Sequence, residues 1–211
     1  MGTRYLTAVY LDGEYKVAQF GLHDGYPRIG GVETLRFAQS LSEVTARDVF
    51  REKVRQCHWI SAEEHGKIVH VKDWEKKHPE LSDSTGAGIL ELIRGSENGL
   101  ALGDDLEFAA DSLFCEWAWV IDLDKGTFEC YEGSNAETPL TERDRFYFLR
   151  DQEEHGYYGI RLKKSWDLDA LPDEKTFLNE LEGHVAVRKT EDIVQFIAQR
   201  IKKKSGRGEE Q

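Results

Sequence analysis

Cysteine, proline and methionine are scarce in this 211-residue chain, at three, four and one respectively. Cys57, Cys115 and Cys130 lie far apart with no CxxC pair, so they are expected to be free, packed thiols rather than a disulfide framework. No apolar run approaches the ~20 residues that a membrane-spanning helix needs. The opening Met1-Gly2-Thr3-Arg4 lacks a basic stretch followed by an apolar one, so no secretory leader is expected and the cytosol is the default location. Positive charge is also in deficit. With 28 Lys and Arg against 40 Asp and Glu, the formal net charge of −12 argues against a general nucleic-acid coat, leaving only a local basic patch for RNA contact.

Several catalytic signatures are missing as well. There is no GxxxxGK[ST] phosphate loop, no GxGxxG fingerprint, no HExxH pair and no GxSxG elbow. His58, His65, His70 and His78 have no paired metal-ligand spacing, so no metal is expected and they read as surface or capping groups. Ser112 and Cys115 lie close to carboxylates and could act as covalent nucleophiles, but neither sits in a recognisable motif. Thr3 would need processing behind Gly2 to become an N-terminal nucleophile.

The rest is an ordinary globular composition, 39% hydrophobic and 32% charged. A chain of this length buries roughly two-thirds of its unfolded surface and needs no covalent staple. Residues 4–11 and 15–20 are rich in β-branched and aromatic side chains and flank Asp12-Gly13, which predicts a hairpin. A second hairpin is expected from strands at 114–121 and 127–131 around Asp124-Lys125-Gly126, and a further strand at 157–166. Apolar spacing predicts helices from Val32, over 42–57 with Val49, Phe50 and Val54 inward, from Ser84 or Thr85 to Gly95, over 104–113, and from Pro172 to about Leu181. Residues 59–81 follow no clear period. The sum is an α+β class, a single domain with an antiparallel sheet of hairpins and helices packed on it. Residues 1–184 form the expected catalytic domain, and 185–211 an amphipathic helix followed by a basic tail spanning Arg200 to Arg207.

The densest candidate chemistry lies in LGDDLEFAADSLFCEW (102–117). On a helix over 104–113, Asp104, Glu107 and Asp111 would share one face, where like charges repel unless a cation or guanidinium sits among them. Asp104 and Asp105 could equally be ordinary helix caps. On a strand, Glu116 would share a face with Phe114, Ala118 and Val120, half buried there and suited to general acid–base work, or else paired with an arginine at the sheet margin. The loop 21–31, with Arg28 nearby, could bind an anion at a helix N-terminus or merely connect elements; His23, Asp24 and Tyr26 are its polar groups.

The runs MGTRYLTAVYLDGEYKVAQFGLHDGYP, EFAADSLFCEWAWVIDLDKGTFECYEG and KSWDLDALP together resemble the arginine-containing cyclodipeptide synthases, a family of small fungal proteins, over about residues 1–182. The resemblance implies a transferase of secondary metabolism. Arginyl-tRNA and a second aminoacyl-tRNA would donate their aminoacyl groups to a diketopiperazine, without ATP, metal or other cofactor at this step, and tailoring enzymes could act downstream. It directs Asp104, Asp105, Glu107 and Asp111 to guanidinium binding or proton transfer and Glu116 to proton transfer, with His23, Asp24, Tyr26 and Arg28 as further substrate contacts. The same carboxylates also suit a hydrolase or acyltransferase of another substrate, or a non-catalytic module recruiting a basic partner. DNA and membrane partners are not expected.

Overall fold

A computed structural model describes residues 2–152 and 156–183. The chain divides into two compact units, Met1–Pro172 and Asp173–Gln211. The proposed terminal helix and basic tail at 185–211 lie outside the described residues. In the second unit, a helix over 174–183 starts where the Asp173 carboxylate accepts hydrogen bonds from the Thr176 N–H (2.9 Å) and hydroxyl (3.1 Å).

The first unit is built on strands β1 (Tyr5–Leu11) and β2 (Glu14–Gly21). Asp12 and Gly13 both take positive φ, 56° and 82°, which is the two-residue turn that matches strand twist and that Asp-Gly favours. Helices α1 (Val32–Ser40) and α2 (Val44–Arg55) follow, then the short strand β3 (His58–Trp59) and helices α3 (Ala62–Val69), α4 (Trp74–Lys77) and α5 (Ile89–Gly95). After β4 (Ala101–Leu102), which pairs with β3 in its own two-stranded sheet, come β5 (Trp117–Asp122), β6 (Thr127–Glu132) and β7 (Arg161–Asp167).

The main sheet has the order β2-β1-β5-β6-β7. Both hairpins form as expected, yet the sheet is mixed rather than antiparallel, because β1 and β5 run parallel, Leu6 opposite Ala118 and Ala8 opposite Val120. Turn residues specify each hairpin locally. The seam between hairpins is decided by burial instead. β1 and β5 are almost continuously buried, as a central parallel pair covered on both faces must be. The edge strand β7 is mostly exposed and carries Lys163 and Lys164, which discourage further pairing.

One face of the sheet carries Tyr5, Thr7, Val9, Trp119 and Ile121. Tyr5 fits a cradle of glycines: a Cβ at Gly21, Gly25 or Gly86 would overlap its ring or hydroxyl. The Tyr5 hydroxyl accepts a 2.8 Å hydrogen bond from the Ala87 N–H, and the Trp119 indole donates to the Gly25 carbonyl at 3.1 Å. The glycines of the 21–31 loop therefore serve close packing, and Pro27–Gly31 forms a π-helical turn that runs into α1. In α2, Phe50 and Val54 are buried as expected, but Val49 is 55% exposed, because the buried stripe continues to Arg47 instead. No side-chain cap starts α5; a 3₁₀ turn at Gly86–Gly88 leads into it, and the Thr85 hydroxyl donates to the Pro79 carbonyl.

The opposite face carries Leu6, Ala8, Ala18, Ala118, Val120 and Tyr131, covered by Ala109, Ala110, Leu140, Phe146, Leu149 and Ile160. The cover is largely irregular chain. The helix expected over 104–113 is reduced to a 3₁₀ turn at Leu106–Ala110, because Asp105 is tied to β2 before the turn and Asp111 leaves helical geometry after it (φ −103°, ψ 89°). β5 likewise starts at Trp117 instead of 114, and β7 at Arg161 instead of 157. In the unassigned stretch, α3 begins with a capping box in which the Ser61 hydroxyl accepts from the Glu64 N–H.

Candidate functional site

The acidic segment divides into carboxylates that hold the fold and carboxylates that line a cavity. Asp104 accepts from the Leu106 N–H at 3.1 Å, a local turn closure. Asp105 bridges to the edge of β2: its N–H donates to the Ala18 carbonyl (3.0 Å), and its carboxylate accepts from the Phe20 N–H (2.8 Å). Burial raises the Asp105 pKa above the usual carboxylate range, partly offset by that hydrogen bond. Neither residue lines the cavity.

Glu107 and Asp111 do. They border an open cavity of about 340 Å³ together with Arg4, Phe20, Phe108, Ala110 and Phe114. Each wall has an identifiable cause. Phe20, at the end of β2, meets Phe108 edge-on with ring centroids 4.9 Å apart. The 3₁₀ turn turns Glu107 outward, while the next turn buries Asp111 to 9% exposure. The Asp111 carboxylate accepts from the Leu113 N–H at 3.0 Å, and its carbonyl accepts from Phe114 (3.2 Å) and Cys115 (2.8 Å). Asp111 is therefore held by its own loop. The Arg4 guanidinium lies 4.5 Å from the Phe114 ring centroid, a cation–π contact.

Glu116 stands behind this wall. It precedes β5, is half-buried, and does not line the cavity. One carboxylate oxygen accepts from the Arg4 N–H at 3.3 Å, and the Glu116 N–H donates to the Arg4 carbonyl at 3.1 Å. Its visible task is to position Arg4. Ser112 and Cys115 are fully buried and also absent from the lining. The Ser112 hydroxyl accepts from the Asn135 N–H at 2.9 Å, and burial pushes the Cys115 thiol well above its ordinary range, with Asp111 and Glu116 adding to the effect. A buried thiol of raised pKa is a poor nucleophile.

His23, Asp24, Tyr26 and Arg28 are exposed on the 21–31 loop and none lines the cavity; Tyr26 donates to Asp24 at 3.3 Å. The structure thus brings together two of the predicted residues, Glu107 and Asp111. The spacing pointed to them by way of a helix that does not form. Sequence reasoning missed Arg4 and the three phenylalanines. Phe108 and Phe114 were visible as aromatics interleaved with the carboxylates, whereas Arg4 and Phe20 arrive only through the sheet. Among the described residues, no group of three or more His, Cys, Asp or Glu could hold a metal ion, and no helix is long and apolar enough to cross a membrane.

Such a cavity has defined chemical abilities. Aromatic faces and carboxylates together favour a planar or compact organic cation, through ring quadrupoles and charge-assisted hydrogen bonds. A carboxylate at the rim can also take a proton from an ammonium group, and Arg4 presents positive charge to an acyl oxygen or phosphate. Comparison with protein-family models, curated proteins and solved structures finds no match for the chain.

Proposed function

We propose that the chain is an aminoacyltransferase of the arginine-containing cyclodipeptide synthase kind, and that the Glu107/Asp111 cavity receives the arginyl group of arginyl-tRNA. The observation that carries the reading is the juxtaposition of two carboxylates with the rings of Phe20, Phe108 and Phe114 around one open cavity. At about 340 Å³ the cavity lies near the small end of ligand pockets, suited to an amino-acid side chain rather than a whole nucleotide. The resemblance of the 1–27, 107–133 and 164–172 runs supplies the reaction class.

The chemistry balances without a cofactor. The α-amine of one aminoacyl ester attacks the carbonyl carbon of the other; a C–N bond forms, the ester C–O bond breaks, and the released tRNA hydroxyl takes up a proton. The free amine of the dipeptidyl ester then attacks its own ester carbonyl in the same way, closing the ring and releasing the second tRNA. Glu107, exposed at the rim, is assigned to accept the ammonium proton, and Asp111 to pair with the guanidinium. Arg4 offers its charge to the acyl oxygen or the terminal phosphate. Glu116 is a positioning residue acting through Arg4, and Asp104 and Asp105 have structural roles. His23, Asp24, Tyr26 and Arg28 remain proposed contacts to the tRNA body. The full chain expressed in yeast, followed by mass spectrometry for arginine-containing cyclic dipeptides, tests the reading. Product that disappears on RNase treatment of an in vitro reaction supports it, and folded protein that makes none from a complete set of charged tRNAs overturns it.

A further inference from the structure

The chain contains three steps in which a glycine follows an acidic or amide residue: Asp12-Gly13, Asp24-Gly25 and Asn98-Gly99. Glycine has no Cβ to screen its main-chain nitrogen, which can attack the preceding side-chain carbonyl carbon and close a cyclic imide. A folded protein permits this only where the glycine N–H is free of a hydrogen bond and the preceding side chain is free to swing onto it.

The structure blocks two of the three steps. Gly13 N–H donates to the Asp124 carboxylate at 2.9 Å, and the Asp12 carboxylate is held by Arg55 at 2.7 and 3.0 Å. Gly25 N–H donates to the Thr3 carbonyl at 2.9 Å, and Asp24 accepts from the Tyr26 hydroxyl. Neither constraint exists at the third. Among the described residues, the Asn98 amide and the Gly99 N–H have no hydrogen-bond partner, and Asn98 is exposed in the loop between α5 and β4. The other asparagines differ. Asn135 is buried and donates to the Thr138 and Gly159 carbonyls, and Asn179 precedes Glu180 on the helix over 174–183.

We propose that Asn98 is a spontaneous modification site, converting through a succinimide to isoaspartate, and that the conversion loosens the pairing of β3 with β4. The Gly99 nitrogen bonds to Asn98 Cγ, the bond from Cγ to the amide nitrogen breaks, and ammonia leaves with the displaced Gly99 proton. Water then opens the imide. Opening at the side-chain carbonyl gives aspartate; opening at the main-chain carbonyl gives isoaspartate, with the chain rerouted through the side chain. The sum is asparagine and water to isoaspartate and ammonia, with no oxidant or cofactor. None of it depends on the proposed aminoacyl transfer.

The position gives the product a structural consequence. Gly99 has φ +74° and lies against the end of α2, where a Cβ would overlap the Gln56 carbonyl. The Leu100 carbonyl accepts from the His58 N–H at 3.0 Å, and the Leu102 carbonyl from the Ile60 N–H at 2.8 Å; both bonds join β4 to β3. Isoaspartate lengthens the main chain by one carbon beside this tight contact, so Gly99 and Leu100 must shift.

The test ages the full chain in mildly alkaline buffer at physiological temperature, with a mildly acidic sample as the slow control. Tryptic peptides are then mapped by mass spectrometry, with fragmentation that separates isoaspartate from aspartate. The peptide spanning 95–125 contains Asn98 and no other asparagine. We expect it to convert before any other asparagine, at a rate within about tenfold of that in the urea-unfolded chain, since no native contact adds to its barrier. The aged protein should melt about 2–4 °C lower, the scale of one lost hydrogen bond in a chain of this size. Asn98→Gln, which would need a larger ring, should neither convert nor lose melting temperature. Fresh Asn98→Asp should melt with fresh wild type, so that the loss belongs to the rerouted chain and not to the added charge. The assignment is overturned if Asn98 stays an amide while Asn135 or Asn179 converts, or if it reacts more than about tenfold more slowly in the folded chain than in the unfolded one. Full conversion with an unchanged melting temperature overturns the link to β3 and β4, as does a fresh Asn98→Asp that melts as low as the aged protein.

Discussion

Arg145 Nε donates to the Glu129 carboxylate at 2.7 Å, joining an otherwise irregular segment to the middle of the sheet. The same guanidinium also donates to Asp122, while Glu129 accepts from the Tyr131 (2.7 Å) and Thr127 (3.0 Å) hydroxyls. Asp122 is fully buried and Glu129 nearly so. Tyr10 covers the guanidinium, its ring centroid 5.1 Å away. Next to Arg145 in sequence is Phe146, buried against Tyr131 and stacked on Tyr15. One cation therefore anchors this segment to β5 and β6.

Removing Arg145 leaves the buried Glu129 without its cation and the buried Asp122 with only the more distant Lys125 ammonium, 3.9 Å away. Arg145→Met is expected to lower unfolding free energy by about 3–5 kcal/mol, the range for breaking a buried pair by losing one partner. Denaturant unfolding monitored by tryptophan fluorescence measures it. A loss below about 1 kcal/mol would mean that the pair behaves like an exposed one.

Glu129 also sets part of the acid sensitivity. Burial by itself would raise its carboxyl, but the hydrogen bonds and charge of Arg145 outweigh burial and hold it below the usual carboxylate range. A carboxyl depressed in the folded state contributes stability present above its unfolded pKa, about 4.3 for a glutamate, and lost as pH falls through the folded value. Asp105 works in the opposite sense: burial raises it, so its ionisation opposes folding as pH rises. Glu129→Gln should flatten the fall in melting temperature below pH 5, about where paired carboxylates begin to titrate, and Asp105→Asn should steepen it. Melting curves across the acid range decide both signs.

The two kinds of aspartate in the acidic run should separate cleanly. Asp105→Ala leaves the Phe20 N–H without its partner and is expected to cost about 1–3 kcal/mol of stability. Asp111→Asn keeps an oxygen for the Leu113 N–H and removes the charge from the cavity. Its expected effect is a roughly 10- to 100-fold loss of argininamide affinity, the scale of one charged hydrogen bond, with a smaller loss of stability than Asp105→Ala causes. Equal losses of stability in both variants would contradict the division of roles.

Tyr5 offers a test of the other face. Burial pushes its phenol up to about 12, and its hydroxyl accepts from Ala87. Tyr5→Phe strands that N–H, at an expected cost of about 1–3 kcal/mol. Gly86→Ala should cost at least as much, because Gly86 sits at φ +47° and the new methyl would overlap the Tyr5 hydroxyl. Thermal melts of the two variants and their double mutant would show strong coupling, since both act on one contact.

Local chemistry determined much of this molecule. Asp12-Gly13 specifies its hairpin because the turn demands positive φ at two adjacent residues, and β-branched and aromatic residues mark the strands around it. The presence of α1 and α2 is legible in apolar spacing, although that spacing turns Val49 inward, and the concentration of carboxylates at 104–116 is plain in the sequence. Long-range packing decided the rest. Whether β1 meets β5 in parallel, and which side chains then gather at their starts, depends on covering both faces of a central pair, and no short window of sequence records that. Asp105 was drawn from a helix to the edge of β2 because an unpaired strand N–H attracts a carboxylate more strongly than the weak helical preference of its neighbours. The same contact separated Glu107 and Asp111 from Asp104 and Asp105, while strand pairing brought Arg4 and Phe20 to face them across about a hundred residues of chain.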